Sequence, residues 1–535
     1  MTATALSLRN AVALRGATWA AAVLVAFLTL APAGLRPTTP LPHDLEHFLA
    51  FLTVGTIVRS AYPDRRALLV SVLLIAALEL LQTLVPGRHA RTEDIAANLA
   101  GFLSGVAVVA LWGRLKAGPL LAAGMVRRGP APPVRPNLGL ERPPALQAAL
   151  DWGAKLRTVV FLVAVLAINY TLSRPSPVDF LFLSALLLTL VSQQRLSIQN
   201  TLFLFLVTTW LLSIYVSSLS LADKPEVRFQ LLALTSVVLI AVTSCLVTSG
   251  WGERDFHKFI GVYVCAAVIA ACIGIYGFAA RDPDLTWDDR AKAFLDDPNM
   301  FGAFLVPGIL GSLYMLAEGR RRPTYAAALV VLVTGLVLSF SRAAITFGLL
   351  WSGVYLAFLN RRNLFKAAVS AGAVFLVLGA ACLIAYLTID NFSEKLVERF
   401  TLAKDYDLGY GGRYSRYSLA LPLLLDHPLG LGLYELDKYF TEPIHNIWIS
   451  SFLNYGWLAG FAWTLLMILS VQVTWYNWKR TRNPICFFVL LSWLSIVSCA
   501  MLHQSERWRY LWLFTGIVWG VNYRNFAPAP GPGRR

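Results

Sequence analysis

The chain has 535 residues, of which 57% are hydrophobic and 14% charged, and its formal net charge is +16. Soluble domains carry about 25% charged residues, so this composition excludes an ordinary soluble protein and indicates a polytopic membrane protein. The positive charge fits basic cytoplasmic segments beside anionic lipid headgroups, and it is not interleaved with aromatic residues in a way that indicates nucleic-acid binding.

Apolar runs long enough to cross a bilayer recur along the chain and predict an all-α protein with about sixteen transmembrane helices. The even number predicts that both termini share one side, and the distribution of arginine and lysine assigns that side to the cytoplasm. The alternative is a signal peptide cleaved near Ala31-Pro32-Ala33, which would leave an odd number. The predicted spans are residues 16–33, 47–62, 67–85, 95–112, 156–172, 178–192, 198–219, 229–249, 257–280, 299–317, 324–340, 343–359, 365–389, 446–474, 484–502 and 507–522.

A stretch rich in Pro, Gly and Arg over residues 113–155 interrupts this pattern and predicts a cytosolic linker. It separates a four-helix domain, residues 1–112, from a twelve-helix domain, residues 156–524, and a disordered tail is expected over 525–535. Two outer loops exceed the length of ordinary connections, at about 281–298 and 390–445. The second is expected to carry short helices, because Tyr417, Leu421 and Leu424 have helical spacing.

Polar side chains lie at the ends of helices two to four of the first domain, where a bilayer normally excludes them. In the assigned topology these ends share the outer face, so the side chains are expected to cluster, either as a functional site or as a network that locks the helices. Gly101 and Gly105 form a GxxxG pair, which is typical of close helix packing. The predicted cluster consists of Asp44, His47, Glu79, Gln82, Arg88, Asp94 and Asn98.

Four short motifs of this domain resemble, in order and spacing, those of the VanZ-like family over about residues 15–112. The biochemical activity of that family is poorly defined, so the resemblance implies a membrane domain without a particular chemistry. What the domain adds to the rest of the chain stays open. The motifs are Asp44-x-x-His47, Glu79-x-x-Gln82, Pro86-Gly87-Arg88 and Asp94-x-x-x-Asn98-x-x-Gly101.

The larger domain brings three motifs with arginine or histidine to the outer face. Arginine binds phosphate oxygens bidentately, and histidine titrates near neutral pH, so such a set is typical of a site that binds an anion and moves a proton. The motifs are Ser341-Arg342 at a tight turn, Gly412-Arg413 with Arg416 ahead of Pro428-x-Gly430-x-Gly432, and His445-Asn446 at the opening of a late helix.

Together with the segment from Arg290 to Asn299, these motifs resemble the O-antigen ligase and polymerase superfamily over about residues 156–522. The resemblance implies a glycosyltransferase that moves a glycan from an undecaprenyl-diphosphate carrier to an acceptor hydroxyl. It also implies that the transfer takes place at the periplasmic face of the bacterial inner membrane and requires no metal or other cofactor. The acceptor is either a saccharide chain or a lipid A-core, in exopolysaccharide or lipopolysaccharide synthesis, and the choice between ligase and polymerase stays open.

The resemblance also assigns roles to individual residues. His445 is expected to act as the general base on the acceptor hydroxyl. Arg342 and Arg413 are expected to hold the diphosphate, with Arg416 as a neighbour that could exchange roles with Arg413. No metal ligands are expected, although Asp282-Pro283-Asp284 has the spelling of a metal motif. Candidate contacts to the glycan or within the loops are Arg290, Asn299 and Asn446.

Each of these assignments has a structural alternative. Arg342 could be an anchor that extends to the lipid headgroups, and the loop arginines could pair with acids of their own loop. Arg290 could form an ion pair with Asp288 or Asp289. His445 could serve only as a hydrogen-bonding residue at a helix start, and His427 competes with it as the base.

For the whole protein, the alternative function is a transporter or flippase of lipid-linked oligosaccharides. Transporters commonly place their substrate site near the bilayer midplane, between repeated halves. The candidate residues of this chain lie at one face and no internal repeat is visible, so the glycosyltransferase is favoured. The six cysteines lack CxxC spacing and indicate neither a disulfide framework nor a zinc site.

Overall fold

The computed structural model describes residues 3–30, 43–62, 64–85, 92–116, 144–171, 176–191, 196–359, 415–440 and 444–526, with single residues at 372, 379, 386 and 412. Sixteen α-helices and one two-stranded hairpin lie within these ranges. Six of the described helices are long and apolar enough to cross a bilayer, and six shorter apolar helices accompany them. The chain is therefore a mostly helical, multi-pass membrane protein, while the expected total of about sixteen spans stays a prediction.

The helices follow the predicted apolar runs closely, and the span expected over 365–389 lies almost wholly outside the described residues. The short helix expected in the second long loop is present. In chain order the elements are α1 (Ala3–Leu30), α2 (His43–Ala61), α3 (Arg65–Leu81), α4 (Thr92–Lys116), α5 (Pro144–Leu166), α6 (Pro177–Val191), α7 (Ile198–Ser217), α8 (Pro225–Thr248), α9 (Glu253–Ala280), β1 (Thr286–Trp287), β2 (Arg290–Ala291), α10 (Pro298–Ala317), α11 (Arg322–Leu338), α12 (Arg342–Leu359), α13 (Ser415–Asp426), α14 (Ile447–Thr481), α15 (Pro484–Ala500) and α16 (Arg509–Gly520).

Helix α5 begins twelve residues earlier than the predicted span at 156, inside the stretch expected as linker. Proline is favoured in the first turn of a helix because its fixed φ suits the helix and its missing N–H would have no partner there. Pro144 is the first helical residue, and an alanine-rich run follows it. The last part of the predicted linker, residues 144–155, therefore belongs to α5, because a proline-rich composition does not distinguish a helix start from a linker. The domain boundaries stay predictions.

The chain divides into two compact units, residues 1–151 with 219–229, and residues 152–218 with 230–535. In the first unit, α2 and α4 pack with their backbones in contact. A Cβ atom on Gly101 would lie 2.2 Å from the carbonyl oxygen of Phe48, and one on Gly55 would lie 2.1 Å from that of Phe102. This confirms the close packing that the GxxxG pair predicted.

Helix α10 is central in the second unit, with α9, α11, α12 and α15 packed around it. A second core lies where α7, α14 and α16 meet, and it is built from buried aromatic rings. The ring centroids of Trp210 and Trp512 are 4.8 Å apart, and those of Trp463 and Trp512 are 5.6 Å apart. Large aromatic contacts of this kind hold α7, α14 and α16 firmly against one another.

Candidate active site

A tight hairpin between α9 and α10 presents Arg290 at the start of β2. Trp287 pairs with Arg290 across the two intervening residues, Asp288 and Asp289. Both turn residues have a φ of 53°, which is the left-handed conformation that two-residue hairpin loops of type I′ require. The orientation of Arg290 is thus determined by the geometry of a short turn.

Arg290 connects three segments that lie apart in the sequence. Its Nε donates to the carbonyl oxygen of Ser339 at 2.9 Å, and its Nη2 donates to Oδ1 of Asn299 at 3.0 Å. The hydrogen bonds of Arg290 therefore go to neutral groups on α10 and on the turn before α12. Neither Asp288 nor Asp289 is its partner among the described contacts.

The side chain of Asp297 begins α10. Its Oδ1 accepts from the backbone N–H groups of Asn299, at 2.6 Å, and Met300, at 3.1 Å, as an N-cap residue does. Burial raises the pKa of Asp297, while these two amides and the charge of Arg290 act in the opposite direction. One oxygen of this carboxylate therefore caps the N-terminus of α10.

Burial also lowers the pKa of Arg290 to about 10. The charge of Asp297 raises that pKa, and the charge of Arg342 lowers it further. Two guanidinium groups thus act on each other in a poorly hydrated place at the start of α10.

Arg342 is the first residue of α12 and follows a turn that packs against α10. Phe340 has a φ of 47°, and the backbone N–H of Ser341 donates to Oγ of Ser339 at 3.2 Å. A Cβ atom on Gly302 would lie 2.8 Å from that same Oγ, so only glycine permits this approach of helix and turn. The turn is therefore held against the first residues of α10.

His445 immediately precedes α14, and its backbone is held from both sides. Tyr417 of α13 donates its hydroxyl hydrogen to the carbonyl oxygen of His445 at 3.0 Å. Oδ1 of Asn446 accepts from the backbone N–H groups of Trp448, at 2.9 Å, and Ile449, at 3.1 Å. The side chain of Asn446 therefore caps the helix. The imidazole of His445, the preceding residue, is half-buried.

Helix α14 is broken at Gly456, which has a φ of 86° and a ψ of 171°. The glycine-rich segment Pro428–Gly432 packs on this break and pairs with its backbone. A Cβ atom on Gly430 would lie 2.5 Å from the backbone nitrogen of Gly456, which explains why glycine stands there. The hydrogen bonds are Leu431 N–H to Leu453 O, Gly432 N–H to Asn454 O and Trp457 N–H to Pro428 O, each 2.9 Å.

Glu506 belongs to none of the sequence motifs, and its side chain is buried in the short loop between α15 and α16. Its Oε1 accepts a hydrogen bond of 2.5 Å from Oγ of Ser450, and that Oγ accepts from Nδ2 of Asn454 at 3.1 Å. Burial raises the pKa of Glu506. Nearby, Tyr510 donates its hydroxyl hydrogen to the carbonyl oxygen of Met300 at 2.9 Å. The signal in the sequence is an acid in a short loop between two strongly apolar runs.

The predicted site residues therefore lie in two groups. One joins Arg290 and Asn299 to the turn before Arg342, and the other joins His445 and Asn446 to Tyr417. The segment Glu506–Tyr510 contacts the two helices whose starts carry these groups, α14 through Ser450 and α10 through Met300. Arg416 of α13 is buried, with 3% of its surface exposed, and its backbone N–H donates to the carbonyl oxygen of Gly412.

Four residues of the polar cluster predicted in the first unit form one chain of hydrogen bonds. Nε2 of Gln82 donates to Oε1 of Glu79 at 2.7 Å, and Nδ2 of Asn98 donates to Oε2 of Glu79 at 3.0 Å. Oδ1 of Asn98 lies 2.9 Å from Nδ1 of His47. Because Asn98 presents its oxygen to the ring, Nδ1 of His47 is the donor. Asp94, which lies four residues before Asn98 in α4, is also buried.

Three of the predicted site residues have side chains outside the described part of the structure. Arg413 and Arg88 lie outside the described residues, as does the side chain of Asp44. Among the side chains that the structure describes, no group of three or more His, Cys, Asp or Glu residues is arranged to hold a metal ion.

Two family models match the chain. The VanZ/LLP1 model matches residues 11–113, and the O-antigen ligase model matches residues 327–464. Neither a curated protein nor a solved structure matches. The ligase match includes Arg342, Arg416 and His445, and it supports a membrane enzyme of the glycosyltransferase type, for which the family implies a lipid-linked glycan donor and a saccharide acceptor. The chain therefore carries a VanZ-like domain at residues 11–113 and an O-antigen ligase domain at residues 327–464.

Proposed function

We propose that this protein is a glycosyltransferase of the bacterial inner membrane that moves a glycan from undecaprenyl diphosphate to an acceptor hydroxyl. The O-antigen ligase match over residues 327–464 carries the proposal, because it spans the arginine and histidine motifs together. In this proposal residues 156–524 form the transferase domain, residues 1–112 the VanZ-like domain and residues 113–155 the region between them. Both termini are cytoplasmic, and transfer takes place at the periplasmic face.

His445 is the general base of the proposed reaction. A sugar hydroxyl is a weak nucleophile, so its proton must leave as its oxygen attacks the anomeric carbon. The bond between that carbon and the diphosphate oxygen breaks in the same step, and the proton is accepted by the imidazole. The contacts of Asn446 support this role, because its side chain already supplies the hydrogen bonds that a helix start needs.

Arg342, Arg413 and Arg416 hold the diphosphate in this proposal. The leaving diphosphate gains negative charge as the glycosidic bond breaks, and preorganised guanidinium groups stabilise such charge strongly where water is scarce. The burial of Arg416 and the position of Arg342 beside the buried start of α10 support this assignment. The guanidinium groups supply the positive charge, so the proposed mechanism uses no metal.

The direct test is glycan transfer by the purified full-length chain in lipid nanodiscs, with a glycan on undecaprenyl diphosphate as donor. Lipid A-core and a carrier-linked repeat unit are offered as acceptors in separate reactions, and elongated product and released undecaprenyl diphosphate are measured. We expect transfer to one acceptor, which distinguishes ligase from polymerase. Absence of released carrier with either acceptor would contradict the proposal.

A matched pair of variants tests the choice of base. Nδ1 of His427 lies 2.9 Å from the carbonyl oxygen of Leu423, so His427 takes part in ending α13. We expect His445→Gln to abolish transfer while His427→Gln retains most of it. The opposite result would assign the base to His427.

A further inference from the structure

Helix α13 is apolar on two sides. On one side Ala420 is fully buried and belongs to a hydrophobic core that includes Ile444. On the other side Leu421 and Leu425, one turn apart, are 56% and 58% exposed, and Pro422 between them is also exposed. We call this side the open face. A surface helix normally keeps polar side chains on the side away from its core, so an apolar open face indicates a partner other than water.

The open face carries no charge and continues beyond the end of the helix. The charged residues in the sequence of α13 are Arg416, which is buried, and Asp426, which is its last residue. Leu429, in the turn that follows, is 73% exposed. The backbone of Leu429 lies against the break in α14, because a Cβ atom on Gly456 would be 2.6 Å from its carbonyl carbon. The apolar surface of α13 therefore reaches α14.

The part of α14 after the break has the features of a membrane span. At about 1.5 Å per residue, residues 457–481 are longer than the roughly 30 Å hydrocarbon core of a bilayer. Apolar side chains are exposed along it at helical spacing, among them Leu458, Phe461 and Leu465, as on a helix face turned to lipid. Trp457 is the first residue of this part, and tryptophan is enriched where spans meet the membrane–water interface.

Trp457 also ties α13 to the start of the span. Its indole Nε1 donates to the carbonyl oxygen of Leu424 at 2.9 Å, and its backbone N–H donates to that of Pro428 at 2.9 Å. The last turn of α13 is thus bonded to the residue at which the span enters the bilayer. The open face and the exposed side of α14 therefore meet at one level.

We propose that α13 is an interfacial helix, and that its open face, with Leu429, is inserted among the acyl chains of the leaflet in which the span begins. The surface is continuous with the lipid-facing side of α14, and this continuity selects lipid over a protein partner. Amphipathic helices bind bilayers through buried apolar area of this kind. The inference does not depend on the proposed reaction.

Insertion of the open face fixes the depth of the opposite side of α13. Arg416 is buried on that side, and the hydroxyl of Tyr417 donates to the carbonyl oxygen of His445. A helix seated at the boundary between headgroups and acyl chains holds these residues near the level at which the phosphate groups of lipids lie.

The first test measures where the open face lies in a bilayer. A fluorescent amino acid, excited where tryptophan does not absorb, replaces Leu421, Leu425 or Leu429 in the full-length chain in phosphatidylcholine nanodiscs. Bromine on the acyl chains quenches fluorophores among them, and iodide in the buffer quenches fluorophores in water. We expect quenching by brominated lipid and little by iodide at all three positions. Lys438, whose side chain is 67% exposed, is the control position and should show the reverse.

The second test disturbs the open face and leaves the packed side intact. Leu425→Asp places a charge among the acyl chains, where charge is costly. Ser418→Asp is the matched control, because Ser418 is exposed two turns earlier on the same side of α13, away from Trp457. With the fluorophore at Leu429, we expect Leu425→Asp to reduce quenching by brominated lipid and increase quenching by iodide, and Ser418→Asp to change neither. Neither substituted side chain is buried, so both variants should keep the melting temperature in detergent.

The outcomes are distinct. Quenching of the three leucine positions by brominated lipid, with Lys438 quenched by iodide, supports the inserted helix whether or not the chain transfers glycan. Quenching of the leucine positions by iodide alone overturns it. Protection from both quenchers also overturns it, since protein, such as a second copy of the chain, then covers the face. Loss of lipid quenching when undecaprenyl diphosphate is added overturns the assignment to bulk lipid, because the polyprenyl chain then occupies the surface.

Discussion

Oγ of Ser450 donates a hydrogen bond of 2.5 Å to the carboxylate of Glu506, whose residue is only 2% exposed. This contact joins the first turn of α14 to the loop that precedes α16. Four residues further along the chain, in the first turn of α16, Tyr510 donates its hydroxyl hydrogen to the carbonyl oxygen of Met300 near the start of α10. One short segment thus connects the helix starts that carry the two groups of candidate residues.

Glu506 gives a prediction about pH. Burial raises the pKa of Glu506 in the folded protein, so the folded state binds its proton more tightly than the unfolded state does. The stability that this group contributes is present below its unfolded pKa and falls as pH rises towards the folded value. We expect the melting temperature of the wild type to fall relative to that of Glu506→Gln as pH rises above the ordinary glutamate pKa of about 4.3. Parallel melting curves above this pH would contradict the prediction.

Glu506→Ala tests the hydrogen bond itself. The glutamine variant can still accept from Ser450, whereas alanine leaves the buried Oγ without its acceptor. We expect Glu506→Ala to lower the free energy of unfolding by about 1–3 kcal/mol, with most of the wild-type stability kept by Glu506→Gln. Denaturation in detergent measures both, and equal losses in the two variants would show that the hydrogen bond is not the cause.

The cap of α14 should matter more for transfer than an equivalent cap elsewhere. Asn446→Ala removes the acceptor of two backbone N–H groups, at a cost of about 0.5–2 kcal/mol. Asn483 caps α15 in a similar way, accepting from the N–H of Ile485 at 2.9 Å, so Asn483→Ala is the control. We expect comparable losses of melting temperature, with a marked loss of transfer rate in Asn446→Ala only. Equal rates in both variants would separate the cap from the chemistry.

Gly456→Ala should distort the start of α14 from a distance. The residue has a φ of 86°, and a Cβ atom there would lie 2.6 Å from the carbonyl carbon of Leu429. A side chain in this conformation costs about 1–3 kcal/mol before the clash is counted. We expect a lower melting temperature and reduced transfer, whereas Gly353→Ala in α12, whose Cβ would meet nothing within 4 Å, should keep both. Normal transfer by Gly456→Ala would contradict a role for the break.

A substitution of Glu79 tests whether the hydrogen bonds among Gln82, Glu79, Asn98 and His47 stabilise the first unit. The two carboxylate oxygens of Glu79 accept from Gln82 and Asn98, and a glutamine offers only one acceptor oxygen. We therefore expect Glu79→Gln to reduce the stability of this unit by about 1–3 kcal/mol. Ser71→Ala is the control, because Oγ of Ser71 donates to the carbonyl oxygen of Ala67 within its own helix. Limited proteolysis reports the difference, and equal resistance of the two variants would contradict the expectation.

The pattern of apolar residues along the sequence predicted much of the helical content. The short motifs identified candidate site residues, but not the residues that those side chains contact. Long apolar runs predict helices because a bilayer leaves the backbone few alternatives. The contact of Arg290 with Ser339 spans 49 positions and that of Ser450 with Glu506 spans 56, so both depend on packing between helices. The break at Gly456 was also hidden, because the groups that satisfy its backbone come from another segment.

That break couples two parts of the chain. Residues 428–432 supply the hydrogen bonds that a continuous helix would have supplied to itself, so the loop and the first part of α14 form one mechanical unit. A displacement of residues 428–432 is therefore expected to displace the part of α14 that precedes Gly456, with Asn446 and His445 at its start.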